Sequence, residues 1–473
     1  MVGSPDYTVS KRWLYPICNM SNKETITKDD IRARFASALS DMYQKEVPQY
    51  GKLLEIVSII NQETQDRTEP PQDIQRRIEV ERHGAIRLGT AQELATIRRL
   101  FAIMGMQPVG YYDLSIAGLP VHATGFRPLT SDALQRNPFR VFVSLLRQEQ
   151  IHDEALRAKV ADIMSKRNIF TLRCLELIDE IESCLEIPAI TAQKFIAEAL
   201  ETFRWHETTT VDLATYKSLE AAHPLIADIV SFRGPHINHL TPRVFDIDAA
   251  QAAMQRSGLK AKDVIEGPPP RKWPILLRQT SFLALEEQIA FSDGCEGNGK
   301  HRARFGEIEQ RGMALTRKGR NLYDRLLAIS QKTVAKSASE SSANVQPRIL
   351  AQCFAGFPDD LKTIRQDGLA YFKYTIREPT QNFPLPLDVD SLIDSGVLAC
   401  EPITYEDFLP ASAAGIFQSN LRGGCSAIDE TVSDQGTLEK ALGCAVYDIF
   451  VLYEKMEQGS KANCLQRLGL SSV

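Results

Sequence analysis

Ile78-Glu-Val-Glu-Arg-His-Gly-Ala-Ile-Arg-Leu88, followed by Thr90 and Glu93, decides the fold class of this chain. Ile86 and Leu88 alternate with His83, Ala85 and Arg87, the period of a strand that turns one face to a core. Thr90 and Glu93 form a capping box, which predicts a helix from about 91 to 104 closed by Gly105. Pro108-Val-Gly-Tyr-Tyr-Asp-Leu114, Val121-His-Ala-Thr-Gly-Phe126 and Arg140-Val-Phe-Val-Ser-Leu-Leu146 offer further strands, with a break at Ala117-Gly118. The succession reads as β-α-β-β with the helices segregated from the sheet, an α+β arrangement.

Outward from this unit, residues 28–46 fit an amphipathic helix with Ile31, Phe35, Leu39 and Met42 on one stripe. Residues from about 154 to 225 read as a helical insertion. A further helix is predicted from Asp246 to about Arg256, and Gly267-Pro-Pro-Pro270 forces a loop before the strand-rich stretch 274–317. The Ser/Ala/Lys-rich stretch 332–345 reads as a mobile linker. Tyr371-Phe-Lys-Tyr-Thr375 fits a strand, and Leu438, Leu442, Ala445, Ile449, Leu452 and Met456 predict one terminal helix. The expected organisation is a flexible extension (1–27), a core (28–331), the linker, and a C-terminal portion (346–473) that completes the pocket.

At 473 residues the chain exceeds what one hydrophobic core usually serves. Its 55 basic and 60 acidic residues give a net charge of −5, without the basic domain that nucleic-acid binding requires. No apolar run reaches the length of a membrane span. The nine cysteines are dispersed with no Cys-x-x-Cys pair, which excludes a zinc ribbon or thioredoxin motif and points to a reducing, cytoplasmic setting. Residues 1–26 leave an organellar address open.

Three segments carry side chains suited to chemistry. Phe232-Arg-Gly-Pro-His-Ile-Asn-His-Leu-Thr-Pro-Arg243 places two of the eight histidines between prolines that argue against a helix. On extended backbone the odd spacing of His236 and His239 sends them to opposite sides, so one of them is a ligand candidate. His83 and Arg87 share a strand face, which suits a metal at one end and a substrate anion near the other. A polar, solvated sheet face is the plain alternative. In Arg304-Phe-Gly-Glu-Ile-Glu-Gln-Arg-Gly312, Glu307 and Glu309 point the same way. One would be a ligand and the other would orient a histidine or an arginine. His122, His152, His206, His223 and His301 sit alone among unlike neighbours and read as structural or exposed.

Arg82-His-Gly-Ala-Ile-Arg87, the 232–243 segment and Phe305-Gly-Glu-Ile-Glu-Gln-Arg-Gly312 resemble the 2-oxoadipate dioxygenase/decarboxylase family, also called 2-hydroxyglutarate synthase. Tyr43-Gln-Lys-Glu-Val-Pro48 and Tyr405-Glu-Asp-Phe-Leu-Pro410 extend the likeness, which runs from about residue 28 to the C-terminus. The resemblance implies a vicinal-oxygen-chelate-like open β-barrel around a metal, with surrounding helices and a C-terminal mixed α/β portion. It implies conversion of 2-oxoadipate and O2 to D-2-hydroxyglutarate and CO2 with Fe(II), within lysine catabolism. Carried over residue by residue, it assigns the metal to His83, His239 and Glu307, with His236 and Glu309 as second choices. It makes Arg87 the substrate-carboxylate arginine and places a substrate-contacting turn at Ala411-Ser412. Ala411 departs from the family's valine there, which would loosen selectivity for chain length. Two other classes compete: a redox-neutral metal-dependent lyase or isomerase of glyoxalase type, and a non-catalytic scaffold.

Overall fold

The computed structural model describes residues 24–68, 70, 72–294, 299–336, 345–377, 388–409 and 434–470. A two-residue strand, β1 (Thr25–Ile26), precedes the helices Lys28–Glu46, Pro48–Thr68 and Gln72–Val80, after which comes β2 (Arg82–Leu88). The helix Ala91–Ile103 leads to β3 (Gln107–Asp113), β4 (Val121–Arg127) and β5 (Arg140–Leu146). Helices run from Glu154 to Ser231, with β6 (Ile187–Pro188) among them pairing with β1. Then follow β7 (His239–Pro242), the helix Ile247–Arg256, β8 (Leu277–Ser281), β9 (Glu287–Ile289), β10 (Gly299–His301) and β11 (Glu307–Arg311). Beyond the helix Arg317–Lys336, β12 (Phe372–Ile376) and β13 (Leu398–Pro402) pair beside the last helix, Ile449–Arg467.

The main sheet has the order β3-β4-β5-β2-β7. β2 is an interior strand, parallel to β5 and antiparallel to β7. Ile86 and Leu88 enter one core with the helices Lys28–Glu46, Ala91–Ile103 and Ala189–Phe203. Ala85, on the opposite face, packs in a second core with Phe142, Tyr112 and Phe408. A third core joins Ile275–Leu277 and Met313–Leu315 to β12, β13 and the last helix. No helix among the described residues is long and apolar enough to cross a membrane.

The architecture is mixed α+β, but the strands do not close into the expected barrel. β8 and β11 form their own two-stranded ladder, linked to the end of β7 by a bridge between Arg243 and Glu309. β7 is four residues long and ends on Pro242, which has no N–H to donate to a neighbour. At the other edge, β3 is covered by Tyr447, whose backbone exchanges hydrogen bonds with Pro108 and Gly110, so that edge is satisfied without a closing strand.

Three local expectations also change. Residues 78–80 belong to a helix, because Ile74 and Ile78 recur at helical spacing and Arg77 reaches Glu81 one turn on. The stretch read as a linker is helical as far as Lys336, and 337–344 lie outside the described residues. The terminal helix is two helices, Gln435–Leu442 and Ile449–Arg467, because Gly443 adopts φ 72° and ends the first.

A buried ionic layer ties Tyr405–Leu409 to the sheet. Arg77 Nη2 donates to both oxygens of Glu406, at 2.7 and 2.8 Å, and Arg140 pairs with Glu406 and with Glu81. Arg243 also meets Glu81, at 3.0 Å, while Arg127 meets Asp407 at 2.6 Å. Burial works against the Glu406 charge, but Arg77 and Arg140 outweigh it and lower its pKa from 4.5 to about 2. A depressed carboxylate stabilises the fold above its unfolded pKa, and that contribution drains away as pH falls from 4.5 toward 2. Glu406→Ala strands two buried guanidinium groups and is expected to cost about 3–5 kcal/mol at neutral pH. Urea unfolding at pH 7 and pH 3 checks both statements, since the gap between wild type and variant should shrink at the lower pH.

Candidate metal centre

β2 turns His83, Ala85 and Arg87 to one face, and that face is buried: His83 is 1% and Arg87 2% exposed. A solvated sheet face is thereby ruled out. β7 lies alongside with His239 opposite Ala85 and Thr241 opposite His83. Gly84 permits this approach, because a Cβ there would sit 2.6 Å from Ile237 Cδ1 and 3.0 Å from His239 O. Asn238 N donates to Ala85 O and Phe305 N to Asn238 O, which draws β2, the β7 segment and the start of β11 together. The hydroxyl of Tyr43 lies 2.9 Å from Asn238 O and 2.8 Å from Phe305 O, so one proton is shared between two carbonyls.

His83, His239 and Glu307 meet where these strands converge. Each offers a ligand atom within 4.8 Å of the others, and all three side chains are buried. His83 Nε2 is 3.1 Å and His239 Nε2 4.0 Å from Glu307 Oε1. Thr241 and Gln279 donate to that same oxygen at 3.0 and 2.8 Å. Glu307 Oε2 and His239 Nδ1 are buried without a hydrogen-bond partner. A buried carboxylate oxygen without a donor is costly unless a cation meets it. Two imidazoles and a carboxylate are a donor set for a divalent transition metal.

The electrostatics agree with that use. Burial lowers the His239 pKa to about 3, so the ring is neutral and able to ligate. Burial opposes the Glu307 charge, yet the carboxyl lies below its usual range, through His239 only when that ring is protonated and otherwise through His83 and the hydrogen bond from Thr241. Burial also opposes protonation of His83, but Glu309 and Glu307 together move its pKa up. Two carboxylates on one imidazole call for positive charge, which a metal ion can supply.

The paired candidates part company. His236 faces away from Glu307, with Nε2 3.2 Å from Asp228 Oδ1 and its ring 4.7 Å from that of Trp205. Glu309 takes two bonds from Arg311, at 2.9 and 2.8 Å, and lies 2.9 Å from His83 Nδ1. It holds an arginine and lies within ion-pair distance of a histidine at once. Arg87 shares the His83 face and pairs with Asp228. His301 is buried on Asp228, and His223 caps the helix Pro224–Ser231, accepting from Leu225 N at 3.0 Å. Ala411 and Ser412 lie outside the described residues.

Three neighbours of the triad, Thr241, Gln279 and Phe408, and one partner of Arg87, Asp228, stand outside the sequence reading. Thr241 carried a signal, since it lies two residues from His239 on the same strand face. Gln279, Phe408 and Asp228 carried none. Phe408 sets its ring 5.2 Å from that of His83 and 5.1 Å from that of Phe142, and it arrives from 325 residues further along the chain than His83, a separation no local pattern bridges.

The fold and this cluster define a mixed α+β protein with a buried His-His-Glu centre suited to a divalent metal. The family model described as 2-oxoadipate dioxygenase/decarboxylase matches residues 35–420. A protein of that name from Pseudomonas putida is 50% identical over 464 residues, 96% of this chain and 100% of that one. One from Escherichia coli is 51% identical over 453 residues, covering 93% and 99%. The solved hydroxyglutarate synthase of P. putida, in complex with 2-oxoadipate, superposes with a TM-score of 0.87 at 50% identity, covering 95% of this chain and 100% of that one. The chain belongs to the 2-oxoadipate dioxygenase/decarboxylase family, and it is an enzyme.

Tyr43 carries the first expectation for this site. Tyr43→Phe leaves two buried carbonyls short of a donor and is expected to cost about 1–3 kcal/mol, read by urea unfolding.

Proposed function

We propose that this enzyme converts 2-oxoadipate and O2 to D-2-hydroxyglutarate and CO2 within lysine catabolism, with Fe(II) held by His83, His239 and Glu307. The observation that carries the reading is the convergence of these three buried side chains beside Arg87 in a chain of this family. Bound Fe(II) would supply open coordination positions and redox chemistry.

The chain's own residues supply the rest. His239 presents a neutral ring. Thr241 and Gln279 fix Glu307 through one oxygen and leave the other for the metal. Arg311 locks Glu309, which steadies His83. Arg87 offers its planar fork to a carboxylate of the oxo acid. Ala411 and Ser412, which lie outside the described residues, are assigned to a substrate contact through their backbone. Phe408 and Phe142 keep the neighbourhood of His83 apolar and limit water there. The two oxygen atoms taken up both remain in the products, so the balance needs no second oxo acid.

Fe(II)-loaded protein given 2-oxoadipate is expected to consume one O2 per oxo acid and release 2-hydroxyglutarate and CO2, followed with an oxygen electrode and chiral product analysis. Oxo-acid turnover without oxygen uptake would instead mark a redox-neutral lyase or isomerase. Metal content after dialysis tests the ligand choice. His239→Ala should lose metal and turnover, whereas His236→Ala should keep its metal, and the reverse pattern would overturn the assignment.

A further inference from the structure

Arg87 is gripped from behind. Its Nη1 donates to Asp228 Oδ2, and the Asn238 side-chain oxygen accepts from the same Nη1 at 3.0 Å when the amide nitrogen donates to Ala85 O at 3.3 Å. Asp228 is buried in the helix Pro224–Ser231, and its other oxygen takes His301 Nε2 at 2.9 Å with His236 Nε2 at 3.2 Å. An ionised carboxylate only accepts, so both rings present Nε2–H, and His301 Nδ1 lies 2.8 Å from the Tyr216 hydroxyl, a hydrogen bond on the far side of the ring. Burial opposes the Asp228 charge, but Arg87 and His236 outweigh it and hold the carboxyl well below its usual range. The result is a buried relay, Tyr216–His301–Asp228–Arg87, braced by His236.

We propose that Asp228 is a positioning residue for oxo-acid recognition, fixing the Arg87 guanidinium for the substrate carboxylate while His301, Tyr216 and His236 fix Asp228. The inference rests on the reading of Arg87 as the carboxylate-binding group. A free arginine side chain carries rotamer entropy that substrate binding would have to remove. Immobilising it during folding removes that cost from substrate binding. Three donors converge on Asp228, and an asparagine there has one acceptor oxygen and must turn its own NH2 toward one of them. Asp228→Asn therefore loosens the grip at nearly constant shape.

Anaerobic calorimetry of 2-oxoadipate binding to the Fe(II)-loaded protein reads the effect without turnover. Asp228→Asn is expected to weaken binding about tenfold or more, with the bound iron unchanged. In an Arg87→Ala background the same substitution should add almost nothing, because a residue that acts through Arg87 is non-additive with its loss. Were Asp228 merely a competitor for the guanidinium, neutralising it would tighten binding. Unchanged or tighter binding overturns the proposal, and so does a fully additive loss in the double variant, the mark of a structural role. If Arg87→Ala alone leaves affinity intact, the role proposed for Arg87 fails first and takes the inference with it. Should Asp228→Asn not fold, Tyr216→Phe carries the test: weaker, Arg87-dependent binding supports the relay, and unaltered affinity overturns it.

Discussion

The pairing of β7 with β2 is the constraint on which the rest of the centre depends. It sets His239 opposite Ala85, so that His83, His239 and Arg87 share one buried face, and it needs Gly84 because any side chain there would strike Ile237 and the His239 carbonyl. Once β7 lies against β2, Asn238 bonds Ala85 and Phe305 bonds Asn238, which delivers Glu307 on the following strand. Tyr43 joins the carbonyls of Asn238 and Phe305 from the helix Lys28–Glu46. Register here is a chemical variable, since a slip by one residue would carry every one of these side chains to the other face.

Around that register the molecule buries an unusual amount of charge. Glu309 and Arg311 connect the triad to Glu81, and Glu81 connects through Arg77 and Arg140 to Glu406. Further along the same face, Arg87 and Asp228 connect to two histidines. Desolvation makes such pairs poor sources of net stability. Their value lies in direction, because each charge has few acceptable partners and therefore one acceptable place. The layer thus brings Phe408 from the C-terminal part of the chain against His83, and through Glu309 it reaches the ring that the metal reading requires.

Much of this was legible in residue order. The alternation from His83 to Leu88, the Thr90–Glu93 capping box and the odd spacing of His236 and His239 are local rules, and the backbone obeys them. Thr90 Oγ1 accepts from Glu93 N at 3.1 Å, and the two histidines do face different neighbours. Where local rules competed, the sequence misled. Ile78 and Val80 fit a strand by alternation, but Ile74 with Ile78 and Arg77 with Glu81 fit a helix, and packing chose the helix. Gly443, inside an apolar periodicity that runs on past it, broke one helix into two.

The sequence by itself determined the α+β class, the strand that carries His83 and Arg87, and the short roster of residues from which a metal centre could be drawn. The tertiary structure alone decided that the strands stay open, that Glu309 rather than Glu307 turns to Arg311, that His236 belongs to Asp228, and that Thr241, Gln279 and Phe408 stand beside the triad. The reason is physical. Periodicity and capping act within a few residues, whereas the placement of a buried charge is decided by partners hundreds of residues away, as Glu406 is for Arg77.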